Sequence, residues 1–333
     1  MNIASSRKTD PKRAKSVKTA GRSGLKASVV ICSYNRYHLL GSAIQSCLDQ
    51  DIGADAFEMI VVDNSPDHAA AEKFGKAFQD HKNLTYIVEK TPGISNARNV
   101  GVQASSAEIV AFLDDDAIAK TDWLRQLLKA YEDMGDVVVA AGGKVSPIWG
   151  TPRPSWLADN KLGLVSVVDW GGSTRPARAK EWLAGANLSV RKSALENAGG
   201  FDKALGRRGG ETTMLSNEEI HFVERLQQQG GTVLYVPEAE VDHLVDERRL
   251  TQEWFRKRTA WQAASDLIKD PELEKNVEPM LNSALNYLMR QPPRYRSHAG
   301  LARDLEHADD FSEQLDAIYN MTVAMLSGYK AQS

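Results

Sequence analysis

Four short apolar runs set the fold of the first third of this chain: Ala27–Cys32, Phe57–Val62, Leu84–Val88 and Glu108–Leu113. Between them lie Arg36–Leu48, Asp67–Phe78 and Ile94–Ala104, whose apolar residues recur at helical spacing. Runs this short and this uniformly apolar have no solvent face and need cover on both sides, which intervening helices supply. The pattern predicts βαβ units and an α/β fold with a mostly parallel central sheet flanked by helices. A further helix fits Asp122–Tyr131, then a strand at Val137–Ala141. Residues 142–181, rich in Gly, Pro and Trp, predict a loop-rich stretch. Strands are expected near Ala186–Val190, Thr232–Val236 and Ala239–His243, and a helix from Glu218 to Gln229. From Leu250 onward the pattern is helical, broken at Gln291-Pro292-Pro293 and around His298. The expected organisation is a basic tail over 1–26, a sheet domain over 27–245 and a helical extension over 246–333.

Charge is unevenly placed. Residues 1–26 hold eight Lys and Arg against Asp10 alone, although the whole chain stands at −3. A basic, Ser-rich arm on an acidic body reads as a solvated tail or as an attraction to anionic lipid. Nothing beyond the arm supports nucleic-acid binding. Cys32 and Cys47 have no C-x-x-C partner, so a reducing, cytoplasmic setting is expected. No apolar run approaches the roughly 18 residues that span a bilayer.

In a parallel sheet, ligands bind beyond the carboxyl ends of the strands. Here the strands end in Ser33-Tyr34-Asn35-Arg36, in Asp63-Asn64-Ser65, in a segment running to Arg98, and in Asp114-Asp115-Asp116. Polar groups therefore collect where a nucleotide would lie. Asp114 and Asp116 share a face in extended chain and repel each other, so they call for a cation. Hard oxygen ligands suit Mn²⁺ or Mg²⁺ together with substrate phosphates. The alternative is an acidic turn before the next helix. Asn217-Glu218-Glu219 opens a helix, where carboxylates favour the dipole or serve as a general base. His243 is either a structural histidine or a third metal ligand.

These motifs, taken together over about residues 27–265, resemble an inverting family-2 glycosyltransferase with a GT-A type fold. Val29 to Arg36 resembles the opening strand and nucleotide-binding turn, and Val61 to Ser65 the second. Gly93 to Gly101 is similar to the family's G-x-x-x-A-R-N-x-G segment, and Phe112 to Asp116 to its D-x-D-type segment. Gly185 to Arg191 and Gly199 to Asp202 look like its acceptor-side strand and turn. Glu218-Glu219 through Arg225-Leu226 resembles the E-D helix.

The resemblance implies a donor half over 27–116 and an acceptor half over 117–245. It implies donor-nucleotide contacts from Ser33, Tyr34, Asn35, Arg36, Asp63, Asn64, Arg98, Asp114 and Asp115, with Asp116 and His243 on the metal. Trp182, Gly185, Ala186 and Asn187 fall on the acceptor side. Glu219 stands where the family has Asp, so both Glu219 and Glu218 are candidates for the base, and Asn217 replaces a frequent Gly. The implied reaction moves a sugar from a nucleotide-diphosphate sugar, UDP by family prior, to a hydroxyl of a glycan or lipid-linked glycan. A sugar nucleotidyltransferase is a rival reading, but Ser33 to His38 lacks its glycine-rich phosphate loop. A non-catalytic nucleotide-sugar-binding protein is another. Trp149, Trp156, Trp170 and Trp182 suit either sugar stacking or core packing. The basic, aromatic stretch Leu250–Leu267 reads either as a helix docked on the core or as an element that brings the enzyme to the inner face of the plasma membrane.

Overall fold

The structure is a computed structural model that describes residues 24–207, 209 and 213–330. The expected tail over 1–26 therefore lies almost wholly outside the described residues.

Strands β1 (Ala27–Ser33), β2 (Phe57–Asp63), β3 (Leu84–Val88) and β4 (Ile109–Asp114) alternate with helices α1 (Tyr37–Leu48), α2 (His68–Gly75) and α3 (Ile94–Ala104). Every residue of β1 is buried, as a strand covered on both faces requires. The four strands pair in parallel in the order β3-β2-β1-β4. After β4 come β5 (Ala117–Ala119), α4 (Trp123–Met134), β6 (Val138–Trp149), β7 (Arg175–Pro176), β8 (Asn187–Arg191) and α5 (Lys192–Asn197). Then follow α6 (Glu218–Gln228) and β9 (Thr232–Val245). Here the sheet becomes mixed. β8 runs antiparallel to both β4 and β6, β6 pairs in parallel with β9, and β5 is antiparallel to β9.

Two long strands replace shorter expectations. β6 continues from Val138 through Trp149, into the stretch read as loop, and β9 joins the two strands expected on either side of Pro237. The two are neighbours along most of their length, and the pairing of each with the other overrides local Gly and Pro content. A Cβ on Gly143 would lie 1.8 Å from the carbonyl oxygen of Ala239, so this pairing needs glycine there.

The C-terminal helices α7 (Gln252–Lys269), α8 (Val277–Arg290), α9 (His298–Ala302) and α10 (Ala308–Lys330) are not a detached appendage. Phe255, Phe311 and Leu315 share a core with Leu157, Val165 and Val245. Trp156 packs edge-on against both Phe255 and Phe311. Trp254 packs half-buried against the same cluster, so Phe255 and part of Trp254 face the protein interior. Cys32 and Cys47 are buried, unpaired thiols, and burial pushes each up to about 12. Among the described residues no helix is long and apolar enough to cross a membrane.

Gly143→Ala is expected to cost about 1–3 kcal/mol through backbone displacement between β6 and β9. The midpoint of a urea unfolding curve checks this, and an unchanged midpoint would show that the β6–β9 pairing tolerates a side chain.

Candidate active site

The chain leaves β1 toward β2 on one side and reaches β4 on the other. This topological switch opens a crevice at the carboxyl ends of β1 and β4. Cys32 and Asp114 are register partners there, so the turn after β1 faces the acidic triplet. Ser33 Oγ donates to Asp115 Oδ2 at 2.8 Å. Arg36, which precedes α1, reaches Asp115 Oδ1 at 3.1 Å and Asp116 Oδ2 at 2.6 Å through one nitrogen. Antiparallel pairing of β5 with β9 sets Ala117 opposite His243, and the Leu244 N–H donates to the Asp116 carbonyl. That register delivers Asp116 to His243, with Oδ1 at 3.2 Å from Nε2. Arg249 lies 3.6 Å from the other oxygen.

The three aspartates thus have different surroundings. Burial and the repulsion of Asp116 push Asp115 up to about 7, against the pull of Arg36 and Ser33. Burial also opposes ionisation of Asp116, but His243, Arg36 and Arg249 outweigh it and hold that carboxyl well below the usual range. Asp114 is half-buried and meets Arg98 at 3.4 Å. Asp114, Asp116 and His243 present ligand atoms within 4.8 Å of one another. His243 Nδ1 is buried without a partner. Two carboxylates and an imidazole fit a divalent cation that keeps positions for phosphate oxygens.

Across the crevice, α6 begins with Glu218 and Glu219. Glu218 is buried, and its Oε1 accepts from Arg98 Nη1 at 2.9 Å. Arg98, buried on α3, therefore joins Asp114 to Glu218. A Cβ on Gly185 would lie 2.1 Å from Arg98 Nη2, so glycine at this position makes room for the guanidinium. Glu219 differs from its neighbour. Its Oε2 is shielded and has no hydrogen-bond partner among the described residues. Burial and the charge of Glu218 push Glu219 up to about 7, with Arg98 opposing.

Asn217, just before the pair, has φ +74°, a left-handed backbone that Asn tolerates and Gly adopts freely. Its side chain is held from the C-terminal extension. Nδ2 donates to Asp266 Oδ1 at 2.6 Å, and Oδ1 accepts from Gln262 at 2.9 Å. Tyr319 on α10 donates to Asp266 Oδ2 at 2.8 Å. Asp266, Gln262 and Tyr319 went unmarked in the sequence, because no local motif links them to a helix start about 50 residues away or more. Arg249 was also missed, although a basic residue shortly after the β9 histidine was a usable signal.

The other expected donor residues lie at the same end of the sheet. Asp63 Oδ1 accepts from the Ser65 N–H at 2.9 Å and Oδ2 from Tyr86 at 2.6 Å. Asn35 has φ +57°, and its N–H donates to Ser65 Oγ. Tyr34 beside it is half-buried. Asn64 spends its amide on bracing the loop before α3, donating to the Glu89 and Thr91 carbonyls and accepting from Gly93. On the expected acceptor side only Trp182 has substantial exposed surface, with Trp170 packed edge-on against it at 6.5 Å. Ala186 is core, and Asn187 is fully buried, bonded to Trp123 and to the Lys144 and Ala239 carbonyls.

A sheet of this order, with an acidic triplet at its switch point and helices closing the far side, defines a GT-A type fold. Residues 28–181 match the family model described as Glycosyl transferase family 2. The chain is 27% identical over 315 residues to the glucosyl-dolichyl phosphate glucuronosyltransferase of Haloferax volcanii, covering 92% of this chain and 95% of that one. It is 30% identical over 240 residues to the succinoglycan biosynthesis protein ExoM of Rhizobium meliloti, covering 70% and 72%. The mannosyltransferase PcManGT of Pyrobaculum calidifontis, solved with GDP-mannose and Mn²⁺, shares the fold at a TM-score of 0.57 and 20% identity, over 91% of this chain and 88% of that one. The protein belongs to glycosyl transferase family 2 and is a glycosyltransferase.

Asp266→Ala is expected to lower kcat about tenfold with little change in KM, by releasing the helix start that carries Glu219. Asn217→Gly in the same chain should restore part of that loss, since Gly holds the left-handed turn without support. A variant that loses stability but keeps its kcat would reduce the clamp to a structural role.

Proposed function

We propose that the chain transfers a sugar from a nucleotide-diphosphate sugar to a hydroxyl of a glycan or lipid-linked glycan, with inversion and with a divalent metal. The observation that carries this reading is the pairing of two unlike carboxylate sites across one crevice. On one side Asp116 stays ionised among cationic groups, and on the other Glu219 is poised near neutrality. Environments that drive carboxyl groups apart in this way mark separate roles.

Asp114, Asp116 and His243 would hold Mn²⁺ or Mg²⁺, which when bound supplies charge neutralisation for the departing diphosphate. The Mn²⁺ in PcManGT supports manganese for that protein and, by analogy, here. Ser33 and Asp63 close the nucleoside end, with Tyr86 fixing the Asp63 carboxylate. Arg36 and Arg249 lie where diphosphate oxygens need positive charge. We assign the base to Glu219: it takes the acceptor proton as the hydroxyl oxygen attacks the anomeric carbon and the nucleoside diphosphate leaves from the opposite face. Glu218, already ion-paired to Arg98, positions its neighbour. The archaeal relative's name specifies a dolichyl-phosphate-linked acceptor for that protein, which favours a lipid-linked acceptor here. UDP remains the donor nucleotide that the family resemblance suggests.

We further propose peripheral association with the cytoplasmic face of an anionic membrane, carried by the basic residues of 1–26 and not by α7, which packs Phe255 and part of Trp254 into the core. Sedimentation with phosphatidylglycerol vesicles at low salt should show binding that removal of residues 1–23 abolishes. Equal sedimentation of both forms would sink this assignment.

A base must be deprotonated to act, so kcat/KM should rise with pH through an apparent pKa near 7 and level off above it. Glu219→Gln should fall by about 10²-fold or more and lose that limb. Asp116→Ala should abolish Mn²⁺-dependent donor turnover. A fully active Asp116→Ala variant, or an unshifted profile in Glu219→Gln, would overturn the respective role.

A further inference from the structure

Three arginines from separate segments act on the charged groups of the two sides of the crevice. Arg249 follows β9 and contacts Asp116, on the metal side. Arg258 projects from α7 and is electrostatically close to Glu219 and Glu218, on the base side. Arg207 is exposed, ahead of α6, and its charge acts on both of the others. Its backbone carbonyl accepts from the Ile94 N–H at 2.9 Å, which ties this segment to the start of α3.

Arg258 is the unusual member. It is nine-tenths buried, and its Nη2 donates to Ser216 Oγ at 3.1 Å and Gln262 Oε1 at 2.8 Å. Both partners are neutral, and Nη1 is buried with no hydrogen-bond partner among the described residues. The nearby carboxylates do not close this charge. Glu218 is bound to Arg98, and Asp266 is spent on Asn217, Gln262 and Tyr319. Glu219 forms no ion pair with it among the described residues. A buried guanidinium in no ion pair among the described residues, pressed further by a second arginine, costs stability that an anion in the crevice would return. Planar guanidinium groups match phosphate oxygens in two-point contact.

We propose that Arg258 and Arg207 form a phosphate subsite for the acceptor, separate from the donor-diphosphate locus beside Asp116 and Arg249. The position decides between the two. Arg258 bonds Ser216, just ahead of the helix start that carries the proposed base, whereas the leaving diphosphate belongs with the metal ligands. The acceptor then carries a phosphate ester or diphosphate close to the sugar being extended. This inference rests on the glycosyltransfer reading above and narrows its substrate class.

The test uses the full chain, saturated with Mn²⁺ and whichever of UDP, GDP, dTDP or CDP raises its melting temperature. Geranyl phosphate, with geraniol as the uncharged control, is then titrated in. The expected result is a further rise with geranyl phosphate only, and an affinity about tenfold weaker or more in Arg207→Gln and in Arg258→Gln. Arg207 is exposed, so its variant keeps the test valid if loss of the buried Arg258 impairs folding. No added stabilisation, displacement of the nucleotide by geranyl phosphate, or unchanged binding in Arg207→Gln would overturn the subsite. If no nucleotide stabilises the chain, the donor-site reading fails instead. The Arg207-dependent response to geranyl phosphate alone then still decides the subsite.

Discussion

Arg98 lies beneath the crevice with its guanidinium buried, one nitrogen on Glu218 and another toward Asp114. Glu218 belongs to the helix of the proposed base and Asp114 to the strand of the proposed metal site, so a single charge spaces the two halves of the reaction. Loss of one partner from a buried pair of this kind costs about 3–5 kcal/mol, because the remaining charge has no water to turn to. The rest of the site is arranged around this contact. Gly185 leaves the space that the guanidinium fills. Glu218 is paired with Arg98, and its charge is, after burial, the next cause that raises Glu219 to about 7. In the proposed mechanism a positioning carboxylate thereby tunes the base beside it.

The C-terminal helices complete the site. Asp266 and Tyr319 hold Asn217 in a backbone conformation that glycine would adopt unaided, and Arg258 reaches the same helix start through Ser216. The extension shares a core with the 157–165 segment, so its position relative to the sheet is set by packed side chains. Substituting Asn for Gly at the helix start therefore carries a consequence. It makes the geometry of the base depend on a segment about 50 residues downstream or more.

Much of the fold was legible in the residues. β1 to β4, α1 and α3 lie within one residue of their expected bounds, and α2 ends three residues early in a 3-10 turn over Lys76–Phe78, because continuous Val and Ile runs and helical spacing report local structure directly. The same runs located the strand ends, and with them Ser33, Asp63 and the aspartate triplet. Local pattern was a poorer guide where pairing partners decide structure. β6 runs eight residues into a stretch rich in Gly, Pro and Trp, and β9 passes through Pro237, because each strand satisfies the other's backbone. Asn187 looked like an acceptor-side residue from its motif, yet three contacts from distant segments make it a buried brace.

Sequence alone therefore settled the order of the first four strands and the three helices between them, the end of the sheet where polar groups gather and the residue types found there. These follow from hydrophobic period and from polar groups at strand ends, both of which are written in consecutive residues. Tertiary structure alone decided which contacts hold Asp116 against His243, which of two adjacent glutamates keeps an oxygen with no partner among the described residues, and that Arg258 is buried outside any described ion pair. Each of those outcomes depends on burial and on partners from other elements. A carboxyl or guanidinium group acquires its chemistry from the charges and solvent around it, and no stretch of neighbouring residues contains that information.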